Sequence, residues 1–168
     1  VRWNPDRSEA MLSDNACRDL TTVAEGAFDE NHKLIALRIN SISNLGAYSS
    51  GFGQNIQSTL AQKVFPGVYD VQIGYFGVKG VYTNTTPVDA YRGAGRPEAI
   101  YVIERLMDHA SRKFGMDQSV LRRKNFISAS QMPYTSLAGE LYDTGDFDKV
   151  LNRAELEADI AGFEARKE

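Results

Sequence analysis

The sequence predicts an α+β fold: an antiparallel-rich mixed sheet followed by packed helices. Two observations predict it. Before about residue 83 several segments have apolar residues at period two, as in Ile35, Leu37 and Ile39 against Arg38 and Asn40, which is the repeat of a half-buried strand. From Pro97 the repeat lengthens, with Ile100, Ile103, Met107, Ala110 and Phe114 on one stripe, as on an amphipathic helix. Strands first and helices after them belong to α+β architecture rather than to alternating βαβ units. The 168 residues are one domain's worth, enough to bury roughly 70% of the unfolded surface, so residues 1–168 are expected to form a single domain.

The elements follow in order. Val1 to Trp3 reads as a short strand closed by the turn Asn4-Pro5-Asp6, and the alternating charges from Asp6 to Glu9 as a solvated edge. Trp3 is expected to be partly buried by packing. Residues 14–19 are polar and loop-like, and Cys17 among them reads as a small packing residue, since no neighbouring motif activates it. Residues 21–28 and 33–42 read as hairpin strands joined by Asp29-Glu30-Asn31-His32, with His32 solvated at the tip. Beyond Asn44-Leu45-Gly46-Ala47-Tyr48 and a glycine-containing loop, Ile56, Leu60 and Val64 recur at fourfold spacing. That pattern predicts a short helix stopped by Pro66-Gly67.

Residues 68–83 are strand-like, with Val71, Ile73 and Tyr75 alternating; the glycines that interrupt them suggest bulges or close approach. The helix over 97–114 stops at Gly115, a natural C′ residue. Asp117 then caps a second helix, with Met116 and Leu121 placed as a hydrophobic staple. Arg122-Arg123-Lys124 lies at the C-terminal end of that helix, where the macrodipole favours cations. His109 beside the stripe reads as a surface group. Residues 126–141 read as loop. Gly145-Asp146-Phe147 opens a last helix toward Lys167, with Val150, Ala154 and Ala158 as a weak apolar face and Gly162 weakening its end.

Composition narrows the function classes. A net charge of −3 and a pI near 5.5 argue against nucleic-acid or anionic-membrane binding. A single cysteine excludes an internal disulfide, fits a reducing, cytoplasmic setting, and leaves iron–sulfur or cysteine-rich zinc sites without ligands. No apolar run reaches membrane-spanning length. The chain begins at Val1, which suggests processing or excision from something longer.

Between the two halves lies Asn84-Thr85-Thr86-Pro87-Val88-Asp89-Ala90-Tyr91-Arg92-Gly93-Ala94-Gly95-Arg96-Pro97-Glu98. Gly93 and Gly95 permit positive φ or close approach of a ligand, and Pro97 suits a helix start. The free N–H groups of that start, flanked by Arg92 and Arg96, would make a small anion site. A glycine loop feeding a helix is also a common connector, so the residues alone allow an anion or cofactor loop, a phosphate-binding module, or neither.

This stretch, with Thr83, Glu104-Arg105-Leu106-Met107-Asp108, Gly115-Met116-Asp117 and Leu121-Arg122-Arg123-Lys124-Asn125, resembles the active-site segment of the molybdenum hydroxylases. That family includes xanthine dehydrogenases, aldehyde oxidases and the large chain of aerobic carbon monoxide dehydrogenase. Asp6-Arg7-Ser8-Glu9-Ala10-Met11, Asn44 to Tyr48 and Tyr142-Asp143-Thr144-Gly145-Asp146-Phe147 extend the match in family order. The resemblance implies a fragment of a molybdopterin-binding subunit several times longer. In the complete enzyme it implies molybdenum on molybdopterin, in the cytosine dinucleotide form, with iron–sulfur and FAD subunits as partners.

The resemblance carries the cofactor contact onto Arg92, Gly93, Ala94, Gly95 and Arg96, and places neither a catalytic residue nor a metal ligand here. The family's glycine-rich loop and terminal glutamate base have no counterpart in the chain, and Glu98 and Glu104 are not substitutes. The isolated chain is thus expected to be inert and free of cofactor. Gly93 stands where carbon monoxide dehydrogenases carry a copper-binding cysteine, Ala94 where xanthine oxidases carry a stacking phenylalanine, and Ser49 near their substrate arginine. These departures argue against carbon monoxide and purines and leave an aldehyde or N-heterocycle open as the substrate. The rival reading is a non-catalytic interaction or scaffold domain that keeps the family fold.

Overall fold

The computed structural model describes residues 1–167. The chain runs α1 (Arg7–Ser13), β1 (Leu20–Phe28), β2 (Leu34–Gly46), α2 (Gly53–Asn55) continued by a π-helical turn (Ile56–Leu60), β3 (Ile73–Tyr82), α3 (Arg96–Phe114) and α4 (Gln118–Asn125). It ends with the two-residue strands β4 (Tyr134–Thr135) and β5 (Leu141–Tyr142), then α5 (Phe147–Glu157) and α6 (Phe163–Arg166). The first three strands form one sheet in the order β1-β2-β3, and β4 pairs antiparallel with β5. Mixed α+β architecture is thus observed, with sheet strands before the long helices.

The chain divides into two compact units. One gathers Val1–Glu25, Arg38–Phe65 and Tyr75–Leu106; the other gathers Gly26–Leu37, Pro66–Gly74 and the residues from Met107 onward. In the first, Leu45, Ile56, Ala61, Phe65, Val88, Ala99 and Ile103 are buried. In the second, Leu34, Tyr69, Val71, Met107, Leu121 and Ile127 are.

Around Asn125 the second unit is tied by one side chain. Its Oδ1 accepts from the Leu34 N–H at 2.7 Å, and its Nδ2 donates to the carbonyls of His32 at 3.0 Å and Leu121 at 2.9 Å. Burying an amide is tolerable only with its partners in place, and here Asn125 is 0% exposed. In the same unit Tyr134 donates to Asp70 at 3.0 Å, and Gln131 donates to the other Asp70 oxygen at 3.0 Å.

Local signals held where their partners are local. Gly115 has φ 63°, and the N–H of Met116 reaches back to the Ser111 carbonyl at 2.9 Å, closing α3 as a left-handed C-cap does. Asp117 accepts from the N–H groups of Ser119 and Val120 and so caps α4.

Several expectations are corrected. Residues 1–6 form no strand, and Trp3 and Cys17 are exposed. The charges at Asp6 and Glu9 form a reciprocal capping box that starts α1, a signature of two orphan N–H groups satisfied at once. His32 is half-buried at φ 64° with its ring 4.6 Å from that of Phe114. Ile35 is exposed while Leu34 is buried, because the strand changes face before Leu37.

The π turn rotates the next helix, so Gln57 and Ala61 are buried where Leu60 and Val64 are only half so. Ile73 and Tyr75 are exposed on β3, whereas Val71 is buried ahead of it. Ala99, not Ile100, occupies the buried stripe of α3. Residues 126–141 hold β4, the first residue of its partner β5, and a 3-10 turn at Ala129–Gln131. The last helix breaks after Glu157, where Asp159 takes φ 46°, and Val150 and Ala154 are exposed.

Candidate functional site

The glycine–arginine loop is built by contacts within the first unit. Ala16 forms a parallel bridge with Val88: its N–H donates to the Pro87 carbonyl at 2.8 Å, and the Asp89 N–H donates to its carbonyl at 3.0 Å. Asn44 holds the approach from the other side, donating to Asp19 at 2.7 Å and Thr85 at 3.0 Å and accepting from the Thr83 hydroxyl at 2.7 Å.

Asp89 links this bridge to the segment before α2. Its carboxylate accepts from the N–H of Phe52 at 3.1 Å and of Ala90 at 2.7 Å. The Ala90 bond, ahead of the Phe52 bond and against the opposing effect of burial, holds the Asp89 carboxyl below its ordinary pKa. Bonding to the charged form has this effect.

The chain then takes three successive left-handed residues: Gly93 at φ 93°, Ala94 at 41° and Gly95 at 90°. For Ala94 this region costs about 1–2 kcal/mol, so the surroundings must impose it. At Gly95 a Cβ would lie 2.3 Å from the Ile56 carbonyl oxygen, and at Gly93 2.6 Å from the Pro97 ring. Both glycines are therefore required by the protein's own packing. The π turn that touches Gly95 carries Gln57, 2% exposed, with Oε1 buried and unpartnered.

Each residue singled out in the sequence lies on this loop or at its exit. Gly95 is buried, Ala94 half-buried, and Arg92, Gly93 and Arg96 exposed. No carboxylate pairs with Arg92 or Arg96 among the described residues, and Arg96 makes one long bond to the Ala94 carbonyl at 3.4 Å. The Gly93 N–H likewise meets no acceptor among the described residues. Two unpaired guanidinium forks and a free N–H at the start of a helix suit an anionic, oxygen-rich group. No cluster of three or more His, Cys, Asp or Glu side chains able to hold a metal occurs among the described residues. His109 is exposed, away from the buried stripe.

Sequence reasoning missed Arg18 and Asp89. Arg18 donates to the Arg92 carbonyl at 2.5 Å, sits 3.2 Å from Glu98 Oε1 and lies over the Tyr91 ring at 5.1 Å. No local pattern marks it, since all three partners are more than seventy residues away. Asp89 stood inside the stretch, two residues after Pro87, where an Asx-type turn is a readable signal.

The model of the molybdopterin cofactor-binding domain family matches residues 1–126. The carbon monoxide dehydrogenase large chain of Hydrogenophaga pseudoflava is 34% identical over 99% of this chain and 21% of its own length. The 6-hydroxypseudooxynicotine dehydrogenase complex subunit gamma of Paenarthrobacter nicotinovorans is 33% identical over 94% of this chain and 20% of its own. Among solved structures, quinoline 2-oxidoreductase from Pseudomonas putida 86 aligns over 99% of this chain and 21% of that one, with a TM-score of 0.89 and 30% identity. The chain thus spans about a fifth of the length of the curated relatives it matches. Among the described residues no helix is long and apolar enough to cross a membrane.

Proposed function

Because the chain belongs to the molybdopterin cofactor-binding domain family, we propose that it is one part of the molybdenum-binding subunit of a molybdenum hydroxylase, and that Arg92 to Arg96 face the cofactor. The observation that carries this reading is the pair of exposed arginines without carboxylate partners on a left-handed loop at the head of α3. Arg92 and Arg96 would hold anionic oxygens of the group by charge-assisted hydrogen bonds, and the Gly93 N–H would add a neutral donor. When bound, the cofactor supplies the redox centre; this chain's residues bind and orient it.

The finer reading is a cytosine dinucleotide form of the cofactor, iron–sulfur and FAD subunits as electron partners, and a cytoplasmic location. Relatives named as a large chain and as a complex subunit favour such partners. The substrate class is an aldehyde or N-heterocycle, favoured by the likeness to a quinoline oxidoreductase. A small methyl at Ala94 leaves room beside the loop, and Gly93 supplies no thiolate for copper.

A second reading, a non-catalytic scaffold, has one observation in its favour: the protein's own packing already accounts for both glycines. Arg92 separates the two. One charge-assisted hydrogen bond contributes roughly 1.5–3 kcal/mol, about a tenfold to hundredfold change in rate. Arg92→Ala in the complete subunit is expected to lower activity at least about tenfold with assembly intact. In this chain alone it should leave the thermal midpoint unchanged, because the side chain is exposed and makes no hydrogen bond or ion pair among the described residues. A destabilised chain together with a fully active complete enzyme would establish the loop as a connector.

A further inference from the structure

We propose that Arg18 is a positioning residue for the cofactor loop, acting through the peptide between Arg92 and Gly93; this rests on the function proposed above. The backbone bridge from Ala16 to Val88 sets Arg18 alongside the loop. From there one guanidinium reaches both ends of the left-handed segment. Nη2 donates to the Arg92 carbonyl at 2.5 Å just before it, and Nε lies 3.2 Å from Glu98 Oε1 just after it. The Tyr91 ring, 5.1 Å away, covers the guanidinium face, a favourable cation–π placement.

The consequence follows from peptide geometry. A trans peptide is planar, with its carbonyl and its N–H pointing to opposite sides. Holding the Arg92 carbonyl toward Arg18 therefore turns the Gly93 N–H away from Arg18, and that N–H has no acceptor among the described residues. Gly93 would let this peptide rotate readily, and Ala94 at φ 41° is strained, so the orientation needs an outside hold.

The ion pair is not saturated as a stabilising bridge would be. Glu98 Oε2 is buried without a partner, and Nε makes no aligned hydrogen bond despite its 3.2 Å approach. The hydrogen bond that the guanidinium does make here is the one to the carbonyl. Nothing else described on the loop holds that carbonyl. Loss of Arg18 frees the peptide to turn, and the donor set presented to the cofactor changes.

The test uses the complete subunit with its partner subunits, comparing wild type, Arg18→Met and Arg18→Lys. Molybdenum per subunit is measured by metal analysis, and the molybdenum(V) paramagnetic resonance signal is recorded after dithionite reduction. Assembly is followed by size-exclusion chromatography. Arg18→Met is expected to assemble but to hold about tenfold less molybdenum, as losing a hydrogen bond from a charged donor would give, with an altered signal from what remains. Arg18→Lys keeps the charge without spanning carbonyl and carboxylate, and should recover the content only in part.

Full molybdenum content with an unchanged signal in Arg18→Met overturns the inference and leaves the proposed function standing. If Arg18→Met fails to assemble, Arg18→Lys decides by the same two readouts. A wild-type complete subunit without molybdenum removes the proposed function and this inference with it.

Discussion

Replacing Asn125 by alanine is the most informative perturbation of the second unit. The substitution removes three hydrogen bonds, at 2.7, 3.0 and 2.9 Å, from a side chain that is 0% exposed. At a net contribution of about 1 kcal/mol each, their loss costs roughly 3 kcal/mol. It also leaves the N–H of Leu34, itself 2% exposed, without an acceptor, and an orphaned buried donor adds about 1–3 kcal/mol. The expected loss is therefore roughly 4–6 kcal/mol, a large part of a domain's typical stability of about 5–15 kcal/mol. Urea unfolding of this chain, read at the denaturant midpoint, measures it.

Asn125→Asp refines the test. It keeps the acceptor for Leu34 but turns an anionic oxygen toward the two carbonyls, which raises its carboxyl pKa in the fold. Its penalty should grow as pH rises through the carboxyl range, because the folded state then binds more protons than the unfolded one. A loss below about 1 kcal/mol for Asn125→Ala would refute the reasoning and show that the three bonds do not hold the unit.

Burial, and then the bond to Asp70, pushes the Tyr134 phenol up to about 12. Its contribution to stability is complete below about pH 10, the unfolded value, and is lost as pH rises toward 12. The tyrosinate absorbance missing from Tyr134→Phe should titrate above the bulk of the tyrosines; a component near pH 10 would contradict the burial. Ile103→Ala, at 1% exposure, should cost about 2–5 kcal/mol, whereas Ile100→Ala, at 50%, should cost little. Equal denaturant midpoints for the two variants would contradict the stripe observed on α3.

What was legible in the sequence was what local chemistry decides. The α3 to α4 junction could be read because Gly115 and Asp117 act on N–H groups and carbonyls within a few residues of themselves. The loop from Arg92 to Arg96 could be placed at a helix start for the same reason. The capping box at Asp6 and Glu9 was equally local, and was obscured only by reading its charges as a solvated edge. Other features were illegible for a physical cause. No periodicity registers a π turn before it rotates Gln57 and Ala61 inward, and alternation cannot say whether Leu34 or Ile35 faces the core. Arg18 and Asn125 carry no local signal, because their partners lie far along the chain.

The bridge from Arg18 to the Arg92 carbonyl spans 74 residues, and that distance sets when the loop can form. The Asp29 to Lys33 turn closes over four. Going from one span to the other is roughly four doublings of loop length, an added closure cost of about 2.5 kcal/mol. The hairpin and the helical turns can form early on such entropic grounds, whereas the Arg18 bridge can close only after both of its ends exist. During synthesis at about 5–20 residues per second, Arg18 precedes Arg92 by roughly 4–15 s. Through that interval Ala16 has no Val88 to pair with, and the left-handed segment has no Arg18 bridge until both ends are made.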